Sequence, residues 1–250
     1  MNESVVEVIE LEKRFGQFVA VDRISFSVHQ GEIFGLLGAN GSGKSTTIRM
    51  LCGILEPSYG YGTVVGFDLR REPEKIKSAI GYMSQKFSLY EDLTILENIR
   101  LYLGIYQVPR ARWSEKVEWF FETFGLRESQ GRKTGDLPPG WKQRLALGCA
   151  ILHEPRLLIL DEPTSGVDLV TRRSFWSFIK ELAEKGTSVM VTTHYMDEAT
   201  NCHRLILLNE GKIIASGTPR EIVENTLGLD SKGGLQEAFI RLVSRKVQNK

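Results

Sequence analysis

The sequence predicts an α/β fold with a mostly parallel sheet, an N-terminal antiparallel β layer and an inserted helical subdomain. Three observations point to it. Short apolar runs at 32–37, 79–83, 157–160 and 188–192 alternate with helical stretches, the pattern of a doubly wound core. The run at 32–37 is almost unbroken, as in a strand buried on both faces of a parallel sheet. Upstream, Ile24, Phe26 and Val28 alternate with Ser25 and Ser27, as in a strand with one wet face.

Taken in order, Val5 to Leu11 and Ile24 to Val28 form an antiparallel edge layer, and Glu32 to Leu37 starts the parallel sheet. A glycine-rich turn and a helix from Thr46 to Leu51 follow. From about Asp92 to Arg132 the pattern changes to two helices with no strand. Thr94 and Glu97 have the spacing of a capping box ahead of Leu96, Ile99 and Leu103. Val117, Phe120, Phe121 and Phe124 then repeat at helical spacing. The strands at 157–160 and 188–192 flank one helix, Thr171 to Glu184. Arg204 to Leu208 and Lys212 to Ala215 make a hairpin around Asn209, Glu210 and Gly211, with the glycine suited to the turn. Leu235, Ala238, Phe239, Leu242 and Val243 mark a last amphipathic helix. The expected organisation is a single domain over 1–250, with an α/β core and β layer at 1–84 and 157–217. Residues 85–156 form the helical subdomain and 218–250 a C-terminal helical tail.

The chain has 250 residues, enough for one large domain at roughly 150 residues per domain. Hydrophobic residues at 42% and charged residues at 25% exclude a disordered or collagen-like chain. Lys+Arg 32 against Asp+Glu 31 leaves +1, so no global field attracts a polyanion. The longest apolar stretch, Leu145 to Leu152, is far shorter than the roughly 20 residues of a spanning helix. Residues 1–12 carry Glu3, Glu7, Glu10 and Glu12 and lack a basic-then-apolar leader, so a cytoplasmic location is expected. Cys52, Cys149 and Cys202 are far apart and odd in number, which suits buried reduced thiols.

The chemistry starts at Gly38-Ala39-Asn40-Gly41-Ser42-Gly43-Lys44-Ser45, which matches G-x-x-x-x-G-K-[ST] between a buried strand and a helix opened by Thr46. That is the phosphate loop of a P-loop NTPase core. Its glycines let successive N–H groups face inward and the helix N-terminus adds positive potential. Lys44 reaches terminal phosphates and the Ser45 hydroxyl ligates Mg²⁺. Leu157 to Leu160 then ends in Asp161-Glu162, and strand ends of open α/β sheets are where active sites lie. Asp161 is the Mg²⁺ partner. Glu162 is placed to orient or deprotonate an attacking water.

With these motifs the sequence resembles the ATP-binding cassette family, from about Val6 to Gly217. The resemblance implies ATP and Mg²⁺ as ligands and adds roles for further residues. Gln85 corresponds to the family's glutamine that touches Mg²⁺ or water and joins core to helical subdomain. His194 corresponds to the switch histidine of the γ-phosphate. Asp168, in Ser165-Gly166-Val167-Asp168, falls in the loop that crosses a dimer interface, and Phe15 matches the aromatic that stacks on adenine. His29, His153 and His203 are read as structural. Leu137-Pro138-Pro139-Gly140-Trp141 stands where the family carries Leu-Ser-Gly-Gly-Gln, so three of five positions differ. Leu137, Gly140 and the helix from Trp141 remain to meet a phosphate of the opposite subunit. Pro138 and Pro139 supply no N–H.

The resemblance is to bacterial type-2 exporter cassettes for drugs and lipids. It implies an ATPase that drives a separate transmembrane permease from the inner face of the cell membrane. Two cassettes, identical or paired with another, close on MgATP. The alternative is a soluble cassette ATPase acting on ribosomes or nucleic acid; a single cassette, a compact interval between Lys44 and Asp161 and near-zero charge favour the transporter, with no nucleic acid expected. A P-loop kinase explains neither the signature-like segment nor the Asp-Glu pair. Phe87, Leu89 and Tyr90 are candidates for the permease contact, or else for packing against Leu96 and Ile99.

Overall fold

The structure is a computed structural model and describes residues 3–85, 88–229 and 233–248. The chain begins with β1 (Ser4–Phe15) and β2 (Phe18–His29), then β3 (Ile33–Gly38) and α1 (Lys44–Leu51). Next come β4 (Tyr59–Val64), β5 (Phe67–Asp68), α2 (Pro73–Ala79) and β6 (Ile80–Met83). Three helices follow, α3 (Ile95–Ile105), α4 (Trp113–Phe124) and α5 (Pro139–Ile151). The core resumes with β7 (Leu157–Asp161), α6 (Leu169–Glu184) and β8 (Ser188–Thr193), and the hairpin is β9 (Arg204–Asn209) with β10 (Lys212–Gly217). Two helices, α7 (Pro219–Leu227) and α8 (Leu235–Gln248), end the order.

The strands form two sheets. One is antiparallel in the order β2-β1-β4-β5; the other runs β10-β9-β3-β8-β7-β6 and is parallel except at the β9–β10 hairpin. In β7, Leu157 and Ile159 face the core shared with the antiparallel sheet and α1, while Leu158 and Leu160 face the core shared with α3, α4 and α5. Both faces are therefore dry, which is why the sequence run is unbroken rather than alternating. Leu37, Leu205 and Leu207 meet a third cluster that Ile222 of α7 and Leu235 of α8 complete.

Several boundaries differ from the sequence reading. Strands β1 and β2 are longer than Val5 to Leu11 and Ile24 to Val28, because register shifts between Val8 and Arg14 carry pairing on to Phe15 and Phe18. Helix α1 starts at Lys44 rather than Thr46, since Thr47 N–H already bonds Gly43 O at 2.9 Å. Helix α5 starts at Pro139 rather than Trp141, with proline in the first turn, where its missing N–H costs nothing. Helix α6 starts at Leu169 rather than Thr171, because Asp168 caps it. Strands β4 and β5 are additions; Gly60 and Gly62 interrupt the alternation that would have revealed β4. Both halves of the Thr94–Glu97 capping box are formed.

The cysteines are all buried, and burial raises each thiol's pKa above its ordinary value. Leu89 and Leu96 are each half-buried against the cluster that contains Ile99, and Tyr90 is exposed; Phe87 lies outside the described residues. On α5, Gly148 admits the rings of α4: a Cβ there would come within 2.1 Å of Phe120 Cε2 and 2.8 Å of Phe124 Cε2. Among the described residues no helix is long and apolar enough to cross a membrane.

Candidate functional site

The phosphate loop closes strand β3, between β9 and β8 in the sheet. Two of its glycines are required by space as well as by conformation. Gly38 has φ 155°, and a Cβ would sit 2.3 Å from Leu208 O and 2.5 Å from Ser42 Oγ. Gly43 has φ 106°, and a Cβ would sit 2.6 Å from Ala20 O. Lys44 is 4% exposed. Its ammonium donates to Gly38 O at 2.8 Å and Ala39 O at 3.2 Å, so the loop's own carbonyls hold the cation at the cleft. Thr47 Oγ1 anchors the first turn of α1 on Gly43 O at 2.9 Å. The cleft has a volume of about 440 Å³ and is walled by Phe18, Ser45, Thr46, Gln85 and Glu162.

The carboxylates come from the end of β7. Asp161 is 5% exposed and accepts a hydrogen bond from Thr192 Oγ1 at 2.6 Å. The same hydroxyl accepts from Glu162 N–H at 2.8 Å. Thr192 thus orients both acidic residues from the neighbouring strand. Glu162 itself has φ 48°, the left-handed region, which costs a non-glycine residue about 1–2 kcal/mol. The turn brings its carboxylate to three partners. Lys44 Nζ is 3.6 Å from Oε1, Gln85 Nε2 donates to Oε2 at 3.2 Å, and His194 Nδ1 lies 3.2 Å from Oε2. Lys44, Gln85, Glu162 and His194 therefore converge at one point.

The chemistry of the loop fits a magnesium nucleotide. At Gly38 and Gly43 it leaves no room for a Cβ, and Ser42 Oγ is buried without a hydrogen-bond partner. The Ser45 hydroxyl and Asp161 carboxylate are hard oxygen donors of the kind Mg²⁺ takes, with phosphate oxygens and water supplying the rest.

Other residues singled out in the sequence lie further off. Phe15 ends β1, half exposed, with Lys13 Nζ 5.3 Å from its ring centroid. Its cross-strand partner is Phe18, and it is Phe18 that lines the cleft. Leu137, Gly140 and Asp168 are not among the cleft residues. Gly140 instead lies against α6, where an added Cβ would be 3.3 Å from Thr171 Cγ2. Asp168 caps α6, accepting from Val170 N–H, Thr171 N–H and Thr171 Oγ1; the Thr171 hydroxyl above all, and then these amides, hold its carboxyl below the ordinary range. His203 is structural, its Nδ1 accepting from Ile33 N–H at 2.9 Å. Sequence reasoning passed over Phe18 and Thr192. A two-residue turn at Gly16-Gln17 was the available signal for Phe18; Thr192 reads as one more β-branched strand residue.

Comparison with known proteins shows the family. A family model described as ABC transporter matches residues 21–165. The chain is 49% identical over 242 residues to the probable multidrug ABC transporter ATP-binding protein YbhF of Escherichia coli (strain K12), covering 96% of this chain and 42% of that protein. It thus spans well under half of that relative's length. It is 35% identical over 231 residues to the Nod factor export ATP-binding protein I of Paraburkholderia xenovorans (strain LB400), covering 92% of this chain and 76% of that protein. A solved ATP-binding subunit of an ABC transporter superposes with a TM-score of 0.87 at 29% identity, over 96% of this chain and 99% of that one. The chain belongs to the ABC transporter family, as one of its ATP-binding cassettes.

Proposed function

We propose that the chain binds MgATP in the cleft, hydrolyses it between two closed cassettes, and so drives a separate membrane permease that exports its cargo. The observation that carries this reading is the convergence of Lys44, Gln85 and His194 on the Glu162 carboxylate beside the phosphate loop. In the bound state the loop amides and Lys44 take the terminal phosphates. Glu162 receives a proton from the attacking water, and Gln85 and His194 orient water and γ-phosphate. Ser45 and Asp161 would hold Mg²⁺, which neutralises phosphate charge. A base held at the cleft by three polar partners is pre-positioned, so little reorganisation is needed when the water attacks. Phe15 and Phe18 supply apolar surface for the base at the hairpin tip. Leu137, Gly140 and Asp168 do not reach this cleft, and they serve the nucleotide of the second cassette. The names of the exporter relatives support export, with the cassette resting peripherally on the inner face of the membrane.

Glu162→Gln tests this reading. It removes the base while leaving Lys44, Ser45 and Asp161 to hold MgATP, so the variant accumulates as an ATP-dependent dimer by light scattering. A variant shown to bind nucleotide that stays monomeric at saturating MgATP refutes closure of paired cassettes.

A further inference from the structure

Behind the site lies a buried carboxylate that the mechanism above does not use. Glu198 is 2% exposed, and each of its oxygens is tied to a different functional segment. Oε1 accepts from Thr164 Oγ1 at 2.6 Å, and Oε2 accepts from Thr193 Oγ1 at 2.9 Å. Thr164 lies two residues after Glu162, at the start of the segment that runs to Asp168. Thr193 immediately precedes His194. Arg172, in the first turns of α6, balances the charge with Nε 3.1 Å from Oε1.

The connection continues to His194. Thr193 Oγ1 also accepts from Tyr195 N–H at 3.0 Å, which fixes the backbone on both sides of the histidine. The Tyr195 ring contacts both the Arg172 guanidinium, 4.3 Å from its centroid, and the His194 ring, 4.1 Å away. A buried carboxylate is tolerated only with partners of this kind, and removing one partner leaves the others unsatisfied. One buried side chain thus bridges the two segments.

We propose that Glu198 is a positioning residue for hydrolysis, locking the Thr164–Asp168 segment to the strand end that carries His194 so that movement of the one repositions the other. This rests on the paired-cassette reading, since a second cassette is what displaces the segment.

Glu198→Gln keeps the shape and removes the charge and one acceptor. Its kcat for ATP is expected to fall about 10- to 100-fold, because a displacement of about 1 Å at a catalytic group costs on the order of 100-fold. Its dissociation constant for ATP should stay within about twofold, because the phosphate loop is untouched. Thr164→Val and Thr193→Val should each lower kcat while Thr164→Ser and Thr193→Ser retain it, and either valine should add nothing to Glu198→Gln. A folded Glu198→Gln with wild-type kcat overturns the proposal. So does a parallel loss of melting temperature, ATP affinity and kcat, which is the behaviour of a merely structural residue. Should Glu198→Gln fail to fold, the Thr193→Val and Thr193→Ser pair decides, and equal kcat in the two refutes coupling. Failure of Glu162→Gln to dimerise removes the paired-cassette reading and this inference with it; a Glu162→Gln dimer beside an unaffected Glu198→Gln removes this inference alone.

Discussion

Pro138→Ser gives the departure from the signature pattern a measurable consequence. Pro138 caps α5 with φ −57° and ψ 151° and has no side-chain bond to the helix; those dihedrals are open to serine. Trp141 and Lys142 N–H turn back on Pro138 O at 2.9 and 3.1 Å, and Pro139 has no N–H. Gly140 therefore carries the unengaged amide of this turn. A serine cap contributes about 1 kcal/mol, and loss of the proline's constraint on the unfolded chain removes about 0.4–1 kcal/mol. The two nearly cancel, so the melting temperature should move by no more than about 2 °C. The serine hydroxyl accepts from the helix and still donates outward. A hydrogen bond to a charged oxygen contributes about 1.5–3 kcal/mol, a factor of about 10 to 150 in affinity. A twofold-symmetric dimer contains the contact twice, so its dissociation constant falls by roughly the square of that factor. The assay is sedimentation or light scattering in the Glu162→Gln background with ATP and with ADP. Equal tightening by both nucleotides, or none with ATP, refutes the idea that this segment meets the γ-phosphate.

Two other substitutions probe the loop and the acid limb of stability. Gly43→Ala places a Cβ 2.6 Å from Ala20 O at φ 106°; the strain of about 1–2 kcal/mol lowers the melting temperature by roughly 2–8 °C. ATP affinity should fall more than about 100-fold as the cradle deforms, and calorimetric titration showing wild-type affinity would contradict the space argument. His153 is stacked on Tyr106 with centroids 3.7 Å apart, and burial pushes its pKa down to about 4 from 6.5, only partly offset by the Ile80 carbonyl. The unfolded chain then takes up the proton first, so stability falls as pH drops from about 6.5 towards about 4, by up to roughly 3 kcal/mol. His153→Phe keeps the stack and should lose less stability than wild type in urea unfolding at pH 4.5 against pH 7. Equal losses would show that His153 does not carry this dependence.

Much of the site was legible in the sequence because its residues are bound to fixed spacings along single segments. The phosphate loop needs its glycines, lysine and serine in one order between a strand and a helix, and Asp161-Glu162 must end a buried strand. The two apolar faces of β7 explain why that strand reads as a continuous run. The rest depends on contacts between distant segments. Thr192 and Glu198 have no local pattern, since their roles exist only when strands or loops some 30 residues apart are brought together. The left-handed backbone at Glu162 is likewise silent, because glutamate is not a residue that announces a turn. Phe15 and Phe18 are equivalent as letters; only the hairpin register shows which of them faces the cleft. The starts of α5 and α6 lie earlier than the apolar periodicity places them, because Pro138 and Asp168 occupy the cap positions, whereas the Thr94–Glu97 box at α3 announces its own start.

The close approach at Gly148 makes α5 a lever. With a Cβ excluded by Phe120 and Phe124, the backbone of α5 bears directly on the aromatic rings of α4, and close-packed rings yield little. Gly140 lies eight residues towards the leading end, an arm of about 12 Å at 1.5 Å per residue. A tilt of about 10° about that fulcrum sweeps Gly140 through about 2 Å, several times the range of distances over which a hydrogen bond holds. A small tilt of α5 against α4 is thus magnified at Gly140, and the segment that departs most from the family pattern sits where that travel is large.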